Sequence, residues 1–225
     1  MRVFFNCLRS IILWKVFFTG VFIIASIYPI LNIFPGKHEK LFQGMNKFFL
    51  SLALKLSFIN VEVIGSENIP HEGGFIIAAN HSSFLDNIVL LGRLPFLFKI
   101  VADRSGFSLP LIRRVYKGAG YIRTGIMMGF EDMVVLYKCL RSKENVLIYS
   151  FVAKGSELGR FTDAMINFSK QTGAPILPVC LKGCSKILPM NKFILTDGMV
   201  SVRIGNPIHD PDLKLLQDKM KELYY

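Results

Sequence analysis

Acidic side chains are scarce in this chain: 16 Asp and Glu against 27 Lys and Arg among 225 residues, a formal net charge of +11. Charge of either sign is thin as well, at 19 %, where an ordinary soluble domain carries about 25 %. Hydrophobic residues reach 52 %, which excludes a disordered chain, because disorder needs low hydrophobicity and high charge density. Nucleic acid would answer the basic charge but leaves so much apolar surface without a use. A surface that meets anionic lipid or an acidic partner, beside a segment inside a bilayer, accounts for both. The length fits one domain of catalytic size.

Cysteine is equally sparse. Cys7, Cys139, Cys180 and Cys184 form no C-x-x-C pair and have no histidine close by in sequence, which argues against a zinc site. Single scattered cysteines read as reduced thiols of a cytoplasmic protein, so the N-x-S triplets at Asn80 and Asn167 are set aside. No G-x-S-x-G elbow is present, which disfavours a serine hydrolase, and no nucleic-acid-binding motif occurs. Repeats and low-complexity tracts are missing too.

What the chain does have is an apolar N-terminus. Residues 16–36 carry no Asp, Glu, Lys or Arg, and 21 helical residues reach roughly 30 Å, the thickness of a bilayer core. Pro29 is expected to kink or end this helix around Tyr28, in which case it starts near Ile11 and carries Lys15 as a snorkelling residue. The run reads as a retained anchor rather than a cleaved signal, since no small-residue cleavage site follows it. Basic residues flank both ends, leaving a single span and a membrane-embedded hairpin both open. Residues 41–58 form a second helix, lying on the membrane or packing beneath the domain.

From Val61 the pattern changes to short apolar runs broken by Gly, Pro and Asn. Strands are expected at 61–65, 75–80, 96–102, 118–123, 145–151, 175–181 and 199–205. Helices are expected at 86–92, 131–141, 161–172 and, with Pro211 in its first turn, 211–224. The alternation predicts an α/β fold with a central, mostly parallel or mixed sheet flanked by helices, behind an N-terminal membrane helix.

The run NHSSFLD ends the second strand candidate, with His81 and Asp86 five residues apart. Loops at the carboxyl ends of sheet strands are where α/β folds place their sites. A neutral imidazole can take a proton from a hydroxyl, and a carboxylate on its other nitrogen fixes the tautomer. Residues five apart on one helix lie about 140° from each other, so the pair meets only if His81 precedes the helix and Asp86 sits in its first turn. Ser83-Phe84-Leu85-Asp86 is also a capping-box-like string. Asp86 therefore equally fits a helix N-terminus, with Ser82 as an alternative cap.

VEVIGSENIPHEGGFIIAANHSSFLD (61–86) resembles the opening of the glycerolipid acyltransferase family, whose signature is N-H-x-x-x-x-D after a G-x-E-N-x-P turn and an apolar strand. LPLIRRVYKGAGYI (109–122) resembles that family's second block. GRFTDAMINFSKQTGAPILPV (159–179) leads into its fourth, with Pro175 and Pro178, and MVSVRIGNPI (199–208) resembles the strand that follows.

The resemblance implies acyl transfer from a thioester to a hydroxyl of a lysophospholipid or related glycerolipid, in phospholipid biosynthesis. His81 would be the general base and Asp86 its orienting partner, with Asn80 and Ser82 beside the substrate. It implies neither metal nor cofactor, only acyl-coenzyme A or an acidic acyl carrier protein as donor. The partners would be membrane lipids and that donor, not nucleic acid. The division that follows is an anchor at 1–36, a membrane-associated or packing helix at 37–59 and an acyltransferase domain at 60–225, on the cytoplasmic face of a membrane.

Two blocks depart from the family. Where its second block ends in a phosphate-binding arginine, this chain has Thr124, with Arg123 one residue early. Where it reads F-P-E-G-T-R, this chain reads Tyr149-Ser150-Phe151-Val152-Ala153-Lys154, keeping only the positive charge at Lys154. Arg123, Lys154 and Arg160 are the candidate acceptor-phosphate ligands. The altered block also leaves an alternative: a catalytically weak or inactive relative that binds lipid or acyl thioester on the same scaffold.

Overall fold

The computed structural model describes residues 2–102, 107–124, 130–150, 158–190 and 192–225. Two helices come first, α1 (Arg2–Leu31) and α2 (Glu39–Leu56). Then follow β1 (Asn60–Ile64), β2 (Ile76–Ala79), α3 (Leu85–Arg93), β3 (Phe98–Ala102), α4 (Pro110–Gly118) and β4 (Ile122–Arg123). The chain closes with α5 (Phe130–Arg141), β5 (Asn145–Tyr149), α6 (Asp163–Thr172), β6 (Ile176–Lys182), α7 (Cys184–Ile187), β7 (Met199–Ile204) and α8 (Leu213–Tyr224).

The seven strands form one mixed sheet in the order β1-β7-β6-β2-β5-β3-β4. Every pairing is parallel except β6 with β7. Alternation along the inner strands splits the core in two. Ile77, Ala79, Ile100 and Leu147 face a cluster built with α1, α2 and α3. Ile76, Ala78, Val146 and Ile122 face the other cluster, built with α5, α6 and α8. The result is helices on both faces of a largely parallel sheet, as the strand–helix alternation predicts.

The G-x-E-N turn has a mechanical explanation. Gly65 adopts φ +83°, and a Cβ there would lie 2.1 Å from the Ile204 carbonyl oxygen. Asn68 donates to that same oxygen at 2.9 Å, so the turn after β1 is fastened to the end of β7. Pro178 sits inside central β6, an unusual place for a residue without an N–H. Ile176 N–H bonds Ile208 O on the β7 side of the strand. By alternation Pro178 nitrogen faces the same way, into the gap before β7 pairing begins at Val179.

Three elements differ from expectation. The first helix begins at Arg2 rather than near Ile11, because the charge of Arg9 is absorbed. That side chain is buried and donates to Ser57 O at 2.8 Å and to Asp197 Oδ1 at 3.0 Å. Pro29 does not end the helix at Tyr28: it occupies the last turn, where its missing N–H removes a single bond before the helix stops at Leu31. The expected strand at 118–123 shrinks to Ile122–Arg123, and 110–118 is the amphipathic helix α4, opened by Pro110 in its first turn.

α1 is one helix long and apolar enough by composition to cross a membrane, yet it lies along the domain. Gly20 lets α2 approach so closely that a Cβ there would meet Phe49 at 2.7 Å. Further along, Tyr28 packs on Phe42 and against Gly118 at the end of α4. Lys99, buried on β3, ties α2 to the turn before β5 by bonding Glu39 at 2.7 Å and Glu144 at 3.0 Å.

Candidate active site

β2, β5, β3 and β4 run parallel, so their carboxyl ends lie along one edge of the sheet. The loop 80–84 leaves β2 at the centre of that edge and turns directly into α3. Its course is set by Asp86, which is fully buried in the first turn of α3. One carboxylate oxygen, Oδ2, accepts from Ser82 N–H at 2.7 Å and Ser83 N–H at 2.8 Å, and lies 3.0 Å from His81 Nδ1. Ser83 Oγ donates to Leu188 O and accepts from Leu85 N–H.

One carboxylate therefore meets the geometry that both the capping and the catalytic reading of Asp86 require. The carboxylate that closes the helix start is also the one that meets the imidazole. With an acceptor at Nδ1, the neutral ring carries its proton there, leaving Nε2 as a proton acceptor. His81 is partly exposed, its side chain retaining 26 % of its accessible surface, while Asp86 retains none. In this pair the imidazole reaches the surface and the carboxylate does not.

Tyr149, at the end of β5 and in register with Ala79 of β2, stacks on His81 with ring centroids 4.3 Å apart and planes at 22°. Its hydroxyl donates to Asn87 Oδ1 at 2.9 Å. Burial pushes the Tyr149 phenol well above the usual tyrosine range, and the negative charge of Asp86 pushes it further, so the hydroxyl is a donor. On the other side of the loop, Phe84 packs against Trp14 and Phe17 of α1, each with centroids 5.5 Å away. The N-terminal helix thus packs against the loop that carries the histidine.

A match between residues 60–182 and the family model described as Acyltransferase covers more than half of the chain, and those residues contain this whole loop. The chain belongs to the acyltransferase family.

Among similar members, the chloroplastic 1-acyl-sn-glycerol-3-phosphate acyltransferase BAT2 of Brassica napus is 26 % identical, over 86 % of this chain and 58 % of its own length. The Bacillus subtilis protein named 1-acyl-sn-glycerol-3-phosphate acyltransferase is 27 % identical, over 71 % of this chain and 79 % of its own. The chain spans little more than half the length of its plant relatives. The crystal structure of PlsC from Thermotoga maritima, titled as a 1-acyl-sn-glycerophosphate acyltransferase, superposes with a TM-score of 0.78. The likeness covers 99 % of this chain and 97 % of that one at 20 % identity, which establishes a common fold.

The other expected site residues divide. Asn80 is fully buried: its Nδ2 donates to Leu181 O at 2.9 Å and its Oδ1 accepts from Leu181 N–H at 2.7 Å. It offers a substrate no exposed atom and instead ties the base of the loop to β6. Ser82 is half-buried beside His81 and contributes its backbone N–H to Asp86. Arg123 is exposed at the end of β4, in register with Ala102. Because Ile122 faces the α5–α6 side, alternation turns Arg123 to the opposite face, the one that carries Tyr149.

Thr124, at the position of the family's arginine, donates its hydroxyl to Asp132 of α5 at 3.1 Å. Arg160 is exposed three residues before α6, and Ser150 Oγ bonds Leu158 O at 2.8 Å, which returns that segment to the end of β5. Lys154 lies outside the described residues. Tyr149, Asn87, Trp14 and Phe84 were not legible as site residues in the sequence. Their proximity comes from strand register and helix docking, which no local spacing encodes.

Proposed function

We propose that this acyltransferase moves a fatty acyl group from an acyl thioester to a hydroxyl of a lysophospholipid or related glycerolipid, with 1-acyl-sn-glycerol 3-phosphate as the first acceptor to test. The observation that carries this reading is the His81–Asp86 pair at 3.0 Å in a chain of this family. The names of the relatives supply the acceptor class.

In the proposed reaction the acceptor hydroxyl gives its proton to His81 Nε2 as its oxygen attacks the thioester carbonyl. Asp86 holds the imidazolium that forms. Collapse of the tetrahedral intermediate breaks the C–S bond, and the proton passes from His81 to the departing thiolate. An ester and a free thiol result. No covalent enzyme intermediate is involved, and the donor is coenzyme A-linked or carried on an acidic acyl carrier protein that the net charge of +11 would attract. Arg123, Lys154 and Arg160 are the candidate ligands for an acceptor phosphate.

Membrane association is part of the proposal. The outward face of α1 exposes Phe4, Phe18, Phe22 and Ile30, and α2 continues it with Phe48. The inward face is bonded to the domain through Arg9 and through Trp14, whose Nε1 donates to Phe193 O at 2.8 Å. A helix fastened along its length with a greasy outer side fits one that lies in the lipid interface, with Lys15, Lys37 and Lys40 near anionic headgroups. The reduced thiols of Cys7, Cys139, Cys180 and Cys184 fit the reducing, cytoplasmic face.

The test is a transfer assay on the full chain in phospholipid vesicles, crossing acyl-coenzyme A and acyl carrier protein donors with phosphate-bearing and phosphate-free acceptors. Wild type is expected to turn over at least one combination, and His81→Ala to lose it. Turnover by H81A would sink the proposed base. Saturable binding of acyl thioester without product from any acceptor would establish instead a binding relative, the reading that the altered run 149–154 favours.

A further inference from the structure

A hydrogen bond at Nδ1 constrains one edge of the His81 ring, while coupled rotations about Cα–Cβ and Cβ–Cγ can still displace Nε2, the atom that must meet the acceptor hydroxyl. Positioning errors of about 1 Å in a general base cost roughly 100-fold in rate. Something must hold the face of the ring.

We propose that Tyr149 is a positioning residue that clamps the imidazole of His81 by its face, with Asn87 holding the clamp. The four side chains close a circuit. His81 meets Asp86 at 3.0 Å, Asn87 is the next residue of α3, Asn87 Oδ1 receives the Tyr149 hydroxyl at 2.9 Å, and the Tyr149 ring returns to His81 at 4.3 Å between centroids. Each fixed point belongs to a rigid element. β5 is zipped to β2 through Ser150 N–H to Ala79 O at 2.8 Å, and both Asp86 and Asn87 stand on the first turn of α3.

Tyr149 touches the base and not the reacting bond, so its contribution appears in turnover. The inference rests on the reading of His81 as the base, and its failure is separable from failure of that reading, because H81A tests the one and Tyr149 variants the other. Tyr149→Leu keeps apolar volume but removes the flat face; Tyr149→Phe keeps the face and removes only the bond to Asn87.

In the vesicle assay, Y149L is expected to lower kcat roughly 10- to 100-fold with KM for donor and acceptor within about twofold of wild type. Y149F, which keeps the face but loses the bond to Asn87, is expected to fall between Y149L and wild type. If Y149L turns over like wild type, or Y149F is impaired as much as Y149L, the clamp is overturned. A measurement that does not depend on Y149L folding is the carbon-bound proton resonance of the His81 ring in the full chain, identified by its loss in His81→Gln. Ring current should displace it from that of exposed His71 in wild type and in Y149F. Coincidence of the two resonances in wild type would overturn the stack.

Discussion

Asp86 Oδ2 lies 3.0 Å from His81 Nδ1 while accepting two backbone N–H groups, so one atom both starts a helix and orients an imidazole. Replacing Asp86 with Asn keeps the volume but offers Oδ1 or Nδ2 where a carboxylate stood. Turnover should fall about 10²- to 10⁴-fold, with acceptor KM little changed. Weakening the two cap bonds should also cost about 1–3 kcal/mol of stability. Steady-state kinetics beside chemical denaturation separates the two effects. D86N with wild-type kcat would leave Asp86 as a cap alone.

Arg9 is the fastening of α1. Its guanidinium reaches Ser57 O, Phe58 O and Asp197, residues far away in sequence, from a position with 4 % exposure. Arg9→Met should destabilise the folded chain by roughly 1.5–3 kcal/mol, the worth of buried hydrogen bonds to a charged group. Asp197→Asn should cost less, because Asp197 is partly exposed and the carbonyl bonds remain. Thermal unfolding in detergent ranks the two; the reverse order would relocate the fastening.

Burial pushes the Cys139 thiol up to about 11, against a counteracting pull from Lys99. A thiol with a raised folded value contributes stability that is complete below its unfolded value near 9. That contribution disappears as pH rises through about 11. Cys139→Val should flatten the fall of stability between these limits relative to wild type. At pH 8 Cys139 should also react with an alkylating reagent more slowly than the partly exposed Cys7. Mass spectrometry of the labelled peptides reads the second outcome.

Arg123 shares a sheet face with Tyr149 and is exposed. As an acceptor-phosphate ligand it contributes a charge-assisted bond, so Arg123→Ala should raise KM for phosphate-bearing acceptors about 10- to 100-fold. Phosphate-free acceptors should be unaffected. Equal effects on both classes would remove Arg123 from the phosphate site.

Phe18 and Phe22 stand 56 % and 62 % exposed on the outer side of α1. Their joint replacement by Ser should weaken binding to neutral phosphatidylcholine vesicles roughly tenfold or more, since burying a phenylalanine side chain is worth about 1.5–3 kcal/mol. Circular dichroism should not change. Unaltered co-flotation with vesicles would show that this face is not the one that meets lipid.

Periodicity and punctuation settled much of this molecule in advance. The inner strands at β2, β5 and β6 are apolar runs that can only be buried on both sides, and helices of 3.6-residue period stand between several of them, so an α/β layering follows from local pattern. The loop NHSSFLD was equally legible, because histidine, cap and carboxylate lie within seven residues of one another. Helix α4 was not among the expected helices and its Gly-Ala-Gly end read as the start of a strand; α1 and α2 provide the surface that Val115 and Gly118 bury against.

Sequence alone placed His81 and Asp86 five residues apart across a strand-to-helix turn, close enough to meet if Asp86 opens the helix. Only the tertiary structure decided what surrounds them. Tyr149 reaches His81 through the parallel register of β5 on β2, and Trp14 reaches Phe84 because Arg9 fastens α1 to the domain. Asn80 was turned from a substrate contact into a tie by the nearness of Leu181 on β6. Those contacts reach across as many as 188 positions of the chain. Their geometry is set by sheet order and helix docking, which depend on the burial of the whole core rather than on any local run of residues.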